Sequence, residues 1–325
     1  MKILKFVVSA AAVVWLVTAI DWKAIIEALE VVRWPLLAVA VILNALLLFI
    51  CARRWQAVAS ANDYPLTLGE SIQGYFVGSF FSAFLPTGKG GDVVRAFLVA
   101  AREGYSSGGL LGTVLVERFV GFLITLTLLA IFGLFWVSRL SRLRNAVVSA
   151  AVLLAALLAL LFLVAPVTRF LERLTRKVPW PWVQRFAGDF MRVLERTVRK
   201  PRLLGTVVVL SAANQLFNAG LAGLVGAAIP GFQAPWYAFV IVTLLVFVVV
   251  LLPSVGGHGV RETGYVAFFG WFSVDAQSAG LFAILNLLLV IGNALIGFFI
   301  FLFWKKTRTS SAAQASTRGR DSRLG

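Results

Sequence analysis

Six stretches of this chain, 6–20, 35–52, 119–137, 146–166, 203–230 and 281–304, contain no charged residue. A helix needs about 20 apolar residues to cross the ~30 Å hydrocarbon layer of a bilayer, and each stretch reaches or approaches that length. Only helices and closed barrels satisfy every backbone group in lipid, and runs this long without alternation are helical. With 60% hydrophobic residues and a mean hydropathy of +0.91, the expected fold class is an all-α polytopic membrane protein.

Two other stretches break this pattern. FLPTGKGGDVVR (84–95) and LLPSVGGHGVRE (251–262) both read Leu-Pro, Thr or Ser, Gly-Gly, three residues, Arg. Pro86 and Pro253 oppose helix continuation, and the Gly-Gly pairs permit tight turns. Each motif divides an apolar segment into two short runs, 71–85 with a run ending near Arg102, and 237–252 with 260–272. Exposed peptide groups at such breaks must face protein or a wet cavity.

Charge sets the expected topology. The net charge is +16, and ten basic residues stand against three acidic ones in 167–202. Nucleic-acid binding is one reading of this charge. Cytoplasmic loops obeying the positive-inside rule and touching anionic lipid explain it better, so no nucleic-acid partner is expected. Lys2 and Lys5 place the N-terminus in the cytoplasm, Arg53 and Arg54 mark the inner end of a helix over 34–52, and Lys305 and Lys306 place the C-terminus inside. The first twenty residues also read as a signal peptide, but a retained first helix is simpler before a chain that is itself membranous. The expected transmembrane domain is 1–304, followed by a disordered basic cytoplasmic tail, 305–325. It has six full spans and two re-entrant hairpins. Units 34–137 and 203–304 form inverted repeats joined through a basic cytoplasmic linker, 167–202. Eight full spans are the alternative. Arg139, Arg142 and Arg144 fall outside on this topology, against the charge rule. Paired, broken apolar segments in inverted halves point to a transporter substrate site.

The polar residues of the breaks suggest what that site handles. A helix N-cap at Asp92 places Arg95 in the first turn, and Arg261 holds the matching place in the second motif. Helix N-termini carry partial positive charge and free N–H groups. Together with Lys89 and His258, with Gly90, Gly91, Gly256 and Gly257 allowing close backbone approach, they form a cradle for a phosphate. Glu262 is positioned to pair with an arginine in the absence of ligand. Glu117 and Arg118 lie within a membrane helix, where charges need partners or water. Adjacent residues point about 100° apart, so these two face different partners. Asn44, Asn214, Asn218, Asn286 and Asn293 read first as hydrogen-bonding glue between helices and second as ligands. Most Trp and Phe are expected to face lipid or the interface. One cysteine, Cys51, and one histidine, His258, leave no basis for a thiolate–imidazole metal site, and no cofactor is expected. The Gly and Lys spacing of PTGKGGD does not fit a P-loop.

The pieces RRWQAVA (53–59), FLPTGKGGDVVRAF (84–97), VLVERFVG (114–121) and LLPSVGGHGVRE (251–262) together resemble the transmembrane region of lysylphosphatidylglycerol synthases, a flippase-like family of integral membrane proteins. The resemblance implies lipid translocation across a bacterial or archaeal inner membrane, and some relatives are associated with hopanoids or polyprenyl-linked sugars. Pro86, Gly90, Gly91, Asp92, Arg95, Glu117, Arg118, Pro253, Gly256, Gly257, Arg261 and Glu262 match the family's polar pattern. The soluble aminoacyl-transferase domain of the large synthases has no counterpart here, so lipid aminoacylation is not expected. The favoured function is translocation of a phospholipid, polyprenyl-linked or hopanoid-type lipid, with membrane lipids as partners. An accessory subunit recruiting a lipid-modifying enzyme is the alternative. A membrane enzyme is disfavoured, because no nucleophile, base and metal carboxylates cluster in the sequence.

Overall fold

The computed structural model describes residues 26, 29–83, 85, 90–136, 149, 153–154, 180–250 and 259–304. Helix 3–20, most of helix 145–166, residues 167–179, the three arginines at 139–144 and the tail 305–325 lie outside them.

All regular structure among the described residues is α-helical. In chain order the helices are α1 (Trp34–Ser60), α2 (Leu68–Ser82), α3 (Gly90–Glu103), α4 (Ser107–Trp136), α5 (Pro181–Val198), α6 (Pro201–Ala228), α7 (Trp236–Val249), α8 (Val260–Gly270) and α9 (Ala276–Leu302). α1, α6 and α9, with Ser107–Gly133 of α4, are long and apolar enough to cross a membrane. Their outer faces carry Val41, Ile42, Phe49, Val209, Ile296 and Phe299, all exposed. Such surface is stable only against lipid. The protein is therefore a polytopic helical membrane protein.

The order long, short, short, long occurs twice, in α1–α4 and in α6–α9. The short helices have 15, 14, 14 and 11 residues, spanning about 16–22 Å at 1.5 Å per residue. None matches ~30 Å of hydrocarbon.

Contacts show which helix ends lie together. At one end, Lys200 Nζ donates to the Ala61 carbonyl at 2.7 Å, Tyr105 Oη donates to the Pro65 carbonyl at 3.3 Å, and Arg102 lies 4.9 Å from the Trp304 ring centre. The α1–α2 and α3–α4 connections, the start of α6 and the end of α9 share this end. At the other, Arg33 N donates to the Ala228 carbonyl at 2.8 Å and Tyr237 packs on Phe272 at 5.9 Å. The start of α7 and the end of α8 belong there. α2 and α7 thus start at opposite ends of the molecule.

Lipid gives apolar side chains little reason to leave one helix for another, so close approach depends on small residues. A Cβ at Gly91 would overlap the Gly78 carbonyl oxygen, and one at Gly297 the Phe76 carbonyl. These glycines bring α2 against α3 and against α9. The start of α2 is fixed by a capping box: Glu70 N donates to Thr67 Oγ1 at 3.2 Å and Thr67 N to Glu70 Oε2 at 2.7 Å.

Two features differ from the sequence reading. α1 does not end at Arg53–Arg54 but continues to Ser60, because Arg54 finds an acidic partner inside the protein. The basic linker is not merely a loop: 181–198 is an amphipathic helix, α5. Its apolar face, Val193 and Leu194, packs on Val58, Val116, Val120 and Val207. Its polar face ties the connections at this end. Asn62 Nδ2 donates to Thr197 Oγ1 at 3.3 Å, Ser106 Oγ to Asp189 Oδ2 at 3.3 Å, and Arg196 pairs with Asp63.

Gly91→Leu is expected to force α2 and α3 apart and destabilise the protein by about 3 kcal/mol, the upper range for overpacking. Gly220→Ala, which meets open space, should leave the melting temperature in detergent unchanged or raised. The Asp63 carboxyl is held below its ordinary value by the hydrogen bond and charge of Arg196. A depressed carboxylate stabilises above its unfolded value, near 4, and the contribution fades as pH falls through the folded value. The protection factors of the α5 amides, exchange rates corrected for the intrinsic effect of pH, should fall below about pH 4, and Asp63→Asn should remove that fall.

Candidate functional site

The site begins with a carboxylate that has no access to water. Glu117, one-third of the way along α4, is fully buried. Its Oε1 accepts from Arg54 Nε at 3.0 Å, from Arg54 Nη2 at 2.6 Å and from the Tyr75 hydroxyl. Its Oε2 accepts from Arg95 Nη2 at 3.0 Å. Arg54 also donates through Nη1 to Ser211 Oγ of α6 at 3.1 Å. Four helices of the first unit therefore meet at one acid, and Arg54 links them to α6 of the second. The Arg95 guanidinium lies 3.7 Å from the Tyr75 ring centre and 4.5 Å from that of Trp55, and Trp55 Nε1 donates to Thr113 Oγ1 at 3.0 Å. Trp55, completely buried, is an exception to the lipid-facing expectation for Trp.

Asp92 continues the network. Its Oδ1 is 3.1 Å from Arg95 Nε and accepts from Arg118 Nη2 at 2.7 Å. α3 starts at Gly90, so Asp92 lies in the first turn and is not the N-cap expected from sequence. Glu117 and Arg118 do face different partners, as the 100° between neighbours requires.

Beside this network lies a cavity of about 250 Å³. Every helix of both four-helix units lines it. Leu47 and Cys51 come from α1, Ser79 and Ser82 from α2, Asp92 from α3 and Arg118 from α4. Opposite are Asn214 and Asn218 of α6, Phe247 of α7, Arg261 of α8 and Asn293 of α9. Leu47, Asn214 and Val290 lie near the middles of α1, α6 and α9, so the cavity is at mid-length of the long helices. Ser82 and Asp92, before and after the first Leu-Pro motif's undescribed residues, and Phe247 and Arg261, before and after the second's, all line this one cavity. A second cavity of about 210 Å³ adjoins it, sharing Leu47, Asn218, Phe247, Arg261 and Val290.

The charges are unequal. Arg54, Arg95 and Arg118 face two carboxylates, Glu117 and Asp92. Arg261, on the wall of both cavities, makes no hydrogen bond or ion pair among the described residues, and its Nη1 is buried without a hydrogen-bond partner. A buried guanidinium donor left unsatisfied is costly, and an anion in the cavity would relieve it.

The sequence-predicted residues separate into groups. Asp92, Arg118 and Arg261 line the cavity. Glu117 and Arg95 lie behind the wall, both fully buried, so Arg95 supports the site from within its protein partners. Gly91 sets helix spacing, and at Gly90 a Cβ would crowd Leu85. Glu262 turns to its own helix start, where Oε2 accepts from Gly259 N at 2.6 Å. Pro86, Lys89, Pro253, Gly256, Gly257 and His258 lie outside the described residues. The five asparagines all line a cavity. Asn44 and Asn293 are also interhelical glue, with Nδ2 of the first donating to Oδ1 of the second at 3.0 Å. Arg54, Tyr75 and Gln215 were missed in the sequence. Arg54 was hidden because Arg-Arg after an apolar run looks like a helix end, and Tyr75 and Gln215 carried no periodic signal.

The sequence matches the family described as the lysylphosphatidylglycerol synthase TM region over residues 2–308. The chain belongs to this family. The match includes both chain breaks, all eight cavity-lining helices and α5. No curated protein matches the sequence significantly. Membership ties the cavity to a family of lipid-related membrane regions.

Removing Glu117 would leave two buried guanidinium groups without their shared counter-ion. Glu117→Ala is expected to cost about 3–5 kcal/mol, as for other broken buried pairs. A large fall in the melting temperature of the purified protein in detergent would show it.

Proposed function

We propose that this protein is a lipid translocator, carrying a polar or phosphate-bearing head across an inner membrane without catalysing a chemical change. The supporting observation is the cavity at mid-length of the long helices, lined by α2, α3, α7 and α8 and bearing Arg261, which has no ion-pair partner among the described residues. On this reading α2–α3 and α7–α8 are re-entrant hairpins from opposite membrane faces, and α1–α4 and α6–α9 are inverted repeats. Their helix lengths and adjoining ends favour that arrangement over eight full spans. Alternating access by rocking such repeats against a fixed central site is the usual consequence.

The head group would displace water beside Arg261 and Arg118 while the apolar chains remain in lipid. Drug-sized sites run to about 300–1,000 Å³, and a cavity of about 250 Å³ suits a head group better than a whole lipid. Orientation follows charge. Arg102, Arg185, Arg192, Arg196, Arg199 and Lys200 gather at the α5 end, and Arg33 is the cation at the opposite end among the described residues. The positive-inside rule assigns the α5 end to the cytoplasm. The N- and C-termini are read as cytoplasmic with it.

Transbilayer movement of acyl-labelled phospholipids, measured in vesicles containing the purified full-length protein, tests the proposal. Arg261→Gln should slow movement of an anionic lipid by about 10–100-fold, the value of a charge-assisted hydrogen bond, with the melting temperature unchanged. If no lipid moves although the protein is folded, the translocator reading fails and an accessory role beside a lipid-modifying enzyme replaces it.

A further inference from the structure

Two helices carry the cavity wall straight into a lipid-facing surface. On α1, Asn44, Leu47, Leu48 and Cys51 line the cavities and share one face at about 3.6 residues per turn. Val41 and Ala45, beside that face, are exposed. On α9, Asn286, Val290 and Asn293 line the cavities, while Gly292 and Ile296 beside them are exposed. What separates the polar chamber from lipid here is the seam between α1 and α9.

The other helix pairs around the cavities are closed more firmly. Gly297 of α9 lies against the Phe76 backbone of α2. Phe269 of α8 packs on Phe282 of α9 at 4.8 Å. Arg54 and Arg33 tie α1 to Ser211 and Ala228 of α6, and Leu126, Leu129, Ile241 and Leu244 bury the contact of α4 with α7. Among the described residues, the hydrogen bonds that join α1 to α9 are those of one amide pair. Asn44 Nδ2 donates to Asn293 Oδ1 at 3.0 Å, and Asn293 Nδ2 donates back to Asn44 Oδ1 at 3.4 Å. Such interhelical bonds contribute little net stability within a membrane, because the amides readily find other partners. Both of these amides stand on cavity walls, where water or a polar head can replace the bond. α2 limits where the seam can part. Toward the α5 end it lies between the two helices, with Tyr75 on Trp55 of α1 at 6.1 Å and Phe80 on Phe301 of α9 at 6.0 Å.

We infer that the α1–α9 seam is a side portal between the central cavity and the bilayer, that the Asn44–Asn293 pair is its latch, and that the apolar chains of a lipid whose head is in the cavity occupy it. Chains drawn into the polar chamber would lose their favourable apolar surroundings, whereas chains in a parted seam keep them. Because α2 fills the half nearer α5, the portal serves the leaflet away from the α5 end. A Cβ at Gly292 would meet nothing within 4 Å, which leaves a shallow place beside the latch for a chain to lie in. The inference rests on the translocator reading for the molecule that passes, but the portal itself is testable by access alone.

Access is measured on the intact protein in phospholipid vesicles. Cys51, the one cysteine of the chain, lines the first cavity, and a phospholipid with a maleimide on its head group adds its mass to the protein on reaching it. N-ethylmaleimide, small enough to enter by any route, is the comparison, and Ser79→Cys in a Cys51→Ser chain supplies a second cavity thiol. Gly292→Trp should slow labelling by the lipid maleimide at least about tenfold, with N-ethylmaleimide labelling and the melting temperature unchanged. Gly220→Trp, at an exposed glycine of α6 that also meets open space, should alter neither reagent's rate. In the Cys51→Ser chain, a short bis-methanethiosulfonate link between Asn44→Cys and Asn293→Cys should stop movement of acyl-labelled phospholipid, and a reductant should restore it. Lipid-maleimide labelling that Gly292→Trp leaves unchanged overturns the inference. So does a lipid maleimide that reaches neither thiol when N-ethylmaleimide reaches both, or lipid movement that the link does not slow. Labelling that depends on Gly292, with no movement of any lipid, upholds the portal and refutes the translocator reading.

Discussion

The rest of the structure is arranged around the need to neutralise guanidinium groups within a membrane-spanning protein. Glu117 meets that need for Arg54 and Arg95 at once, with Tyr75 completing its coordination. Lone charges at bilayer depth are expensive, and here Glu117 is held by hydrogen bonds from three other helices. α1, α2, α3 and α4 are therefore held in the mutual arrangement that brings their polar side chains to this one acid. Ser211 extends the constraint to α6. In a solvent that gives apolar helices little reason to choose one neighbour over another, this polar node supplies the choice.

The node also shapes the cavity. Because Glu117 and Asp92 engage Arg95 from inside, the Asp92–Arg118 pair is presented on the wall. Opposite, α8 begins at a glycine with φ of 77°, and Glu262 reaches back to cap its first turn. That turn holds Arg261 at the cavity, with no ion pair among the described residues. The result is a polar chamber with excess positive charge, enclosed by helices whose outer faces are apolar. Such a chamber favours an anionic group over apolar chains, which have lower energy in lipid.

Packing of the short helices depends on different physics. Glycines 91 and 297 let backbones approach where any side chain would collide. On the other unit, Phe232, Phe239, Phe269 and Phe282 form stacked and edge-on contacts at ring separations of 4.8–6.4 Å. One half is thus tightened by small residues and an ion network, the other by aromatic rings. α5 binds the connections at one end through Thr197, Asp189 and Arg196, which gives its basic face a fixed position.

The sequence by itself determined the membrane class, because uncharged runs of span length have no other stable environment. It also located both helix breaks and the short helices beside them, since Pro and Gly-Gly act through local backbone geometry. It marked Asp92, Glu117, Arg118 and Arg261, because charges in apolar surroundings are conspicuous. Tertiary structure alone decided which of these meet. Arg95 and Arg261 hold equivalent places in the two motifs, yet one is sealed between Trp55, Tyr75 and two acids and the other faces open space. That difference depends on residues up to 40 positions away in the chain, such as Trp55. Arg54 looked like a helix end because its partner, Glu117, is 63 residues distant. The asparagines became a cavity wall only when α1, α6 and α9 came together, since hydrogen-bonding capacity is written in sequence but its use is set by what packs against it.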